Sequence, residues 1–152
     1  MAFQTSTTWR KPTRPKPERK AMNRTGEKGS WWIFVSAVLN RFFLRIAMPQ
    51  RCELCDGTSY CGPIQPAHRK RRQDIRKFNW EEAFRVAVLG NDCHYEIDVK
   101  GRRAAEPIIE NIIATRFKRM GLSEEKVKEL LLECAKEVQA ENEKFSEYVV
   151  VL

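Results

Sequence analysis

The chain lacks several features that would settle its class at once. It has only two histidines among 152 residues, so any imidazole chemistry must use His68, His94 or both. It has no uninterrupted apolar run long enough for a bilayer. Trp31–Leu39 comes closest, but Asn40, Arg41 and Arg45 interrupt the ~20 residues that a spanning helix needs. No small-x-small cleavage site follows that run cleanly, which argues against a secretory leader and for the cytoplasm. An even cysteine count is missing too. Five cysteines, two of them spaced Cys-x2-Cys, suit a reducing compartment and a metal site better than a disulfide framework. No internal repeat is present, and residues 1–29 hold almost no aliphatic side chain, which excludes a packed core there.

What the chain does have is positive charge, unevenly spread. The 28 Lys and Arg exceed the 20 Asp and Glu, leaving a net charge of +8. Residues 1–29 are rich in Lys, Arg, Thr and Pro and read as a disordered basic arm, either a solubilising tail or a tether for phosphate backbones. The last thirty residues are acidic, so a polyanion-binding face belongs to the N-terminal half and centre.

Helical periodicity organises much of the rest. Ser30 is placed to cap a helix over residues 31–47, with Trp31, Val35, Val38, Leu39, Phe42 and Ile46 forming its apolar stripe. That stripe reads as core rather than as a membrane-surface anchor. Asn79 and Glu82 form a capping pattern for a helix Trp80–Leu89 stopped by Gly90. A short helix is expected near Asp92. Pro107 suits the first turn of the next helix, with stripe Ile108, Ile109, Ile112, Ile113 and Phe117, closed by Gly121. Ser123 opens a last helix bearing Val127, Leu130, Leu131, Cys134 and Val138. The two are expected to pair antiparallel, and the last stripe also offers a seam for a homodimer. Cys134 reads as core.

Cys52-Glu53-Leu54-Cys55 presents two thiolates to one point, as a structural Zn2+ requires. Cys93 is the third ligand expected. Gly90 stands where another cysteine commonly completes such a site, so the fourth ligand is sought elsewhere. Cys61 is preferred, with water or a histidine such as His94 as alternatives. Hydrolysis of a phosphodiester needs a base, a cation at the leaving oxygen and positive groups on the flanking phosphates. His68 has a suitable intrinsic pKa for the base. His94 and Asp98, four apart on a helix, share a face able to hold Mg2+ or Mn2+. Arg69, Lys70, Arg71 and Arg72, followed by Arg76 and Lys77, supply contacts to DNA phosphates.

The order Cys-x2-Cys, Pro-Ala-His, Cys-His-x-x-Ile-Asp resembles the HNH (ββα-metal) endonucleases, especially small phage-associated members found among recombination and lysogeny genes. Arg41–Cys52 is similar to the helix that enters the first cysteine pair there. The resemblance covers roughly residues 40–103. It implies a ββα-metal core with a zinc knuckle; with the N-terminal helix and the C-terminal helical hairpin that periodicity gives outside it, the expected protein is α+β and mostly helical. The division is residues 1–29 as arm, 30–103 as core with leading helix, and 104–152 as hairpin. It also implies His68 as general base on a β-hairpin and His94 on the catalytic metal. Two departures stand out: Ala67 occupies a position where many relatives carry a metal ligand, and the family's middle asparagine has only Asn79 or Asn91 as counterparts. The competing expectation is a zinc-ribbon module that binds nucleic acid or protein without catalysis.

Overall fold

A computed structural model describes residues 26–48, 51–58 and 60–152, so the greater part of the basic arm lies outside the described residues. The elements in order are α1 (Glu27–Arg45), β1 (Ile64–His68), α2 (Trp80–Ala83), β2 (Val86–Gly90), α3 (Asn91–Val99), α4 (Arg102–Met120) and α5 (Glu124–Glu141), with short 3-10 turns at Arg72–Asp74 and Glu143–Phe145. The fold is α+β and mostly helical, with one two-stranded antiparallel sheet.

Helix α1 buries Trp31, Phe34, Val35, Val38, Leu39 and Phe42, while Ser36 and Asn40 stay exposed. It starts earlier than its sequence implies. Gly26 is the N-cap, no side chain caps it, and Ser30 is buried inside the helix. The boundary drawn at residue 29 therefore falls inside α1. The apolar stripe packs on α5, whose Val127, Leu131, Cys134, Ala135 and Val138 are buried in the same cluster. Arg41 pairs with Glu137 at 3.2 Å and Glu141 at 2.5 Å, and Arg45 with Glu133 at 3.4 Å and with Glu137. The two arginines that interrupt the apolar run thus meet the acidic end of the chain. Such exposed, solvent-screened pairs contribute little, so apolar burial holds the two helices together. Among the described residues no helix is long and apolar enough to cross a membrane.

Two expectations fail here. The last two helices do not pack as a hairpin. Helix α5 turns onto α1, whereas α4 lays Ala105, Ile109 and Ile113 against the sheet and α3. The turn at Gly121 (φ +65°) and the Ser123 cap on Lys126 N are where the sequence puts them. Pro107 sits inside α4 rather than in its first turn. Its missing N–H leaves only the carbonyl of exposed Arg103 without an intrahelical partner.

The expected helix Trp80–Leu89 is also corrected. Asn79 does cap α2 through the Glu82 N–H, but the helix ends at Ala83 and Val86–Gly90 is a strand. It pairs antiparallel with β1 in the register Pro66–Val88, Ala67–Ala87 and His68–Val86. Val86 faces the α1 cluster, whereas Ala67, Ala87 and Leu89 face the cluster of α3 and α4. A short strand buried on both faces reads as a continuous apolar run, which periodicity alone does not separate from helix.

Candidate metal centre and basic cleft

The turn at residues 52–55, the loop at Cys61 and the start of α3 bring four thiols together. The sulfurs of Cys52, Cys55, Cys61 and Cys93 all lie within 4.8 Å of one another, with Cys55 and Cys61 Sγ atoms 3.6 Å apart. Tetrahedral Zn2+ with bonds of about 2.3 Å places its sulfurs about 3.8 Å apart, so the cluster can hold an ion such as zinc. Cys61 is the fourth member, and His94 is not. The reason lies at Gly90: a Cβ added there would come within 2.1 Å of the Cys61 sulfur. The space that a side chain at position 90 would fill is taken by a thiol arriving from residue 61.

The thiols are unequal without a cation. Burial pushes the Cys52 thiol up, but N–H groups of Cys55, Gly90 and Leu54 outweigh it and bring the pKa down to about 7. Burial raises Cys61 and Cys93; Cys55 and Cys52 push Cys61 further up against an opposing bond from Cys93, and all three neighbouring thiols push Cys93 up. Only a positive ion at the centre would ionise all four together.

Glu53, inside the turn, fastens it to the sheet. Its N–H donates to the Val88 carbonyl at 2.8 Å, and its carboxylate accepts the Val88 N–H at 2.7 Å. Val88 therefore spends both main-chain groups on the turn, away from Pro66, so Pro66's missing donor costs this ladder nothing. The carboxylate also binds Arg116, whose Nε is 2.7 Å away and whose guanidinium donates to the Val86 carbonyl at 2.7 Å. The two side chains are only 12 % and 4 % exposed. Removing one partner of such a pair costs about 3–5 kcal/mol. Glu53→Ala is expected to lose that much stability in chemical denaturation of the zinc-loaded protein; a loss below about 1 kcal/mol would mean the turn holds without this anchor.

A second site opens beside the sheet. An open cleft of about 740 Å3 is lined by Lys28, Trp32, His68, Lys70, Arg71, Arg72, His94, Asp98 and Arg102, among others. His68 ends β1 on the α1 side, its ring edge-on to Trp32 at 5.2 Å. Among the described residues, its Nε2 is buried without a partner. Burial, then the Arg72 charge, lower its pKa to about 4, against a hydrogen bond to the Ala83 main chain and the Glu82 charge. His94 and Asp98 lie on α3 with Nε2 and Oδ2 3.4 Å apart. The other ring nitrogen of His94 is 2.7 Å from Gln65 Nε2, which also contacts Asn91 Oδ1 at 3.4 Å.

The fold thus brings both histidines and Asp98 to one cleft, but it does not leave the basic run free as a block. Arg69 is bound by Glu82 and lies 3.2 Å from Glu110, so it braces β1 against α2 and α4. Arg72 lies over the Trp32 ring at 4.3 Å. Lys77 pairs with Glu27 at 2.9 Å, while Lys70, Arg71 and Arg76 are exposed. Ala67 is fully buried and adds no donor. Sequence reasoning missed Lys28, Gln65, Arg102 and the Glu53–Arg116 pair. Only Arg102 left a trace, four residues beyond Asp98. The chain matches no protein-family model, no curated protein and no solved structure.

Because His68 is neutral in the folded chain down to about pH 4, the unfolded chain, titrating near 6.5, binds the extra proton between those values. Stability contributed by His68 is therefore full above about pH 6.5 and falls as pH drops toward 4, by up to about 3 kcal/mol. With only two histidines, NMR titration of the imidazoles checks this directly. A His68 midpoint near 6.5 would contradict the burial argument.

Proposed function

We propose that this protein is a metal-dependent HNH-type endonuclease acting on DNA, with a structural zinc at Cys52, Cys55, Cys61 and Cys93. The observation that carries the reading is His68 Nε2. It is a buried, unpartnered, neutral imidazole nitrogen on the same cleft as the His94–Asp98 pair. A ring nitrogen that no described protein group holds and that is unprotonated at neutral pH is free to accept a proton, and its lowered pKa makes it a weaker base than one tuned near the working pH.

In this reading His68 Nε2 takes a proton from water as that water attacks phosphorus, and the Ala83 main chain holds the ring's orientation. His94 and Asp98 are the residues that would hold Mg2+ or Mn2+, which would neutralise charge on the leaving oxygen. Two side chains make a thin ligand set, and phosphate oxygens would complete it, as is usual for Mg2+. Lys28, Lys70, Arg71 and Arg72 supply positive surface for the backbone. Plasmid cleavage by the zinc-loaded protein with Mg2+ or Mn2+, and none without, is the expected result. Absence of cleavage in either metal counts against the proposal.

A second reading has its own support. Ala67 gives no donor, and both His94 ring nitrogens already face protein groups, Gln65 and Asp98. A zinc module that binds DNA without cutting it would show salt-sensitive binding and no cleavage in any divalent metal.

A further inference from the structure

We propose that Arg102 is a phosphate-gripping side chain of this cleft, a role that neither its position nor the basic run 69–72 announces. Three side-chain polar atoms are buried without a partner among the described residues: Trp31 Nε1, His68 Nε2 and Arg102 Nε. Two of the three belong to side chains lining the same cleft. Buried polar groups are nearly always paired, so two unsatisfied nitrogens on side chains that line one cleft mark it as a place that lacks a partner.

The surroundings of Arg102 specify the occupant's charge. One Nη donates to the carbonyls of Arg69 at 3.2 Å and, more weakly, of His68 at 3.5 Å; the other is 3.7 Å from Asp98 Oδ1. These long contacts hold the guanidinium across the gap between the end of β1 and α3, while Nε–H is buried with no partner among the described residues. Arg102 is also the first residue of α4, followed by Arg103, with no acidic residue in that first turn. A cation there opposes the helix dipole. Its placement weakens the free protein, and an anion beside it would relieve both the dipole and the orphaned N–H. Among the cleft's other arginines, Arg72 is laid over Trp32 and Arg71 is exposed to solvent, while neighbouring Arg69 is paired with Glu82 and Glu110. A guanidinium fork matches two oxygens of a phosphodiester. The ligand class is therefore a nucleic-acid backbone phosphate, set beside His68. That this phosphate is the one cut rests on the nuclease reading; the grip itself does not.

The test separates the two. DNA binding is measured against salt without added Mg2+ or Mn2+, and cleavage with them, for zinc-loaded wild type, Arg102→Met and Arg102→Lys. Loss of one phosphate contact lowers the slope of log K against log salt by about one. Arg102→Met is expected to show that drop, cleavage reduced on the order of 10²-fold, and unchanged zinc content. Arg102→Lys keeps the charge and slope but, lacking the fork, still cleaves poorly. An unchanged slope in Arg102→Met overturns the inference even when the wild type cuts DNA. A lowered slope in a protein that never cuts keeps the inference and removes the nuclease. Should Arg102→Met not fold, wild-type cleavage by Arg102→Lys overturns the fork on its own.

Discussion

Cys52→Ser is expected to lose zinc and, with it, most of the structure between residues 50 and 100. The turn at residues 51–58 depends on zinc most: it forms no regular ladder, Cys52 is its one buried side chain, and its other ties, to Val88 and Arg116, run through Glu53. Disruption there reaches the sheet and α3 because Cys61 and Cys93 belong to the same cluster. Cys52 carries the lowered pKa of the cluster, and through Cys61 and Cys93 the site ties the turn to the loop before β1 and to α3. Zinc in small modules contributes on the order of ten kcal/mol at neutral pH, as much as the net stability of a whole domain. A serine oxygen does not replace a thiolate for zinc. Zinc analysis with amide exchange across β1, β2 and α3 reads the outcome, and a chelator should reproduce it in the wild type. Cys134→Ser is the control. That thiol is buried in the α1–α5 core, away from the cluster, so its loss costs packing but not zinc. A folded, zinc-free Cys52→Ser protein would sink the metal centre as the organiser of this region.

The second large effect is on the proposed DNA cleavage. His68→Ala should lower cleavage by about 10²–10⁴-fold, the usual contribution of a general base, with zinc content unchanged. Stability makes this more than a loss-of-function test. Keeping an unpaired ring nitrogen out of water costs about 1–3 kcal/mol, and an apolar replacement removes that penalty while giving up the ring's bond to the Ala83 main chain, a loss of similar size. His68→Leu is expected to be about as stable as the wild type and still inactive. Cleavage by His68→Leu at the wild-type rate would remove His68 from the chemistry. A strongly destabilised His68→Leu would mean the ring serves packing against Trp32 instead.

Local signals were legible to different degrees, for physical reasons. Caps read correctly where a side chain does the capping, as at Asn79 and Ser123, and incorrectly at Ser30, where Gly26 begins the helix with no side-chain bond. Cys61 could be proposed because the site needed a fourth thiolate. That it fills the space beside Gly90 could not, because the two are far apart in the chain. Residues 86–90 misled because a strand covered on both faces has no alternation to read.

The sequence by itself determined the four zinc-type thiols, the two available imidazoles, the spacing of His94 and Asp98, and the apolar stripes of α1 and α5. Those follow from residue chemistry and short-range periodicity. Only the tertiary structure decided which stripe meets which, that Glu110 and Glu82 draw Arg69 away from the cleft, and that His68 and Arg102, side chains of one cleft, each keep a buried nitrogen unsatisfied among the described residues. Pairing and desolvation depend on neighbours distant in the chain, and no local pattern records them.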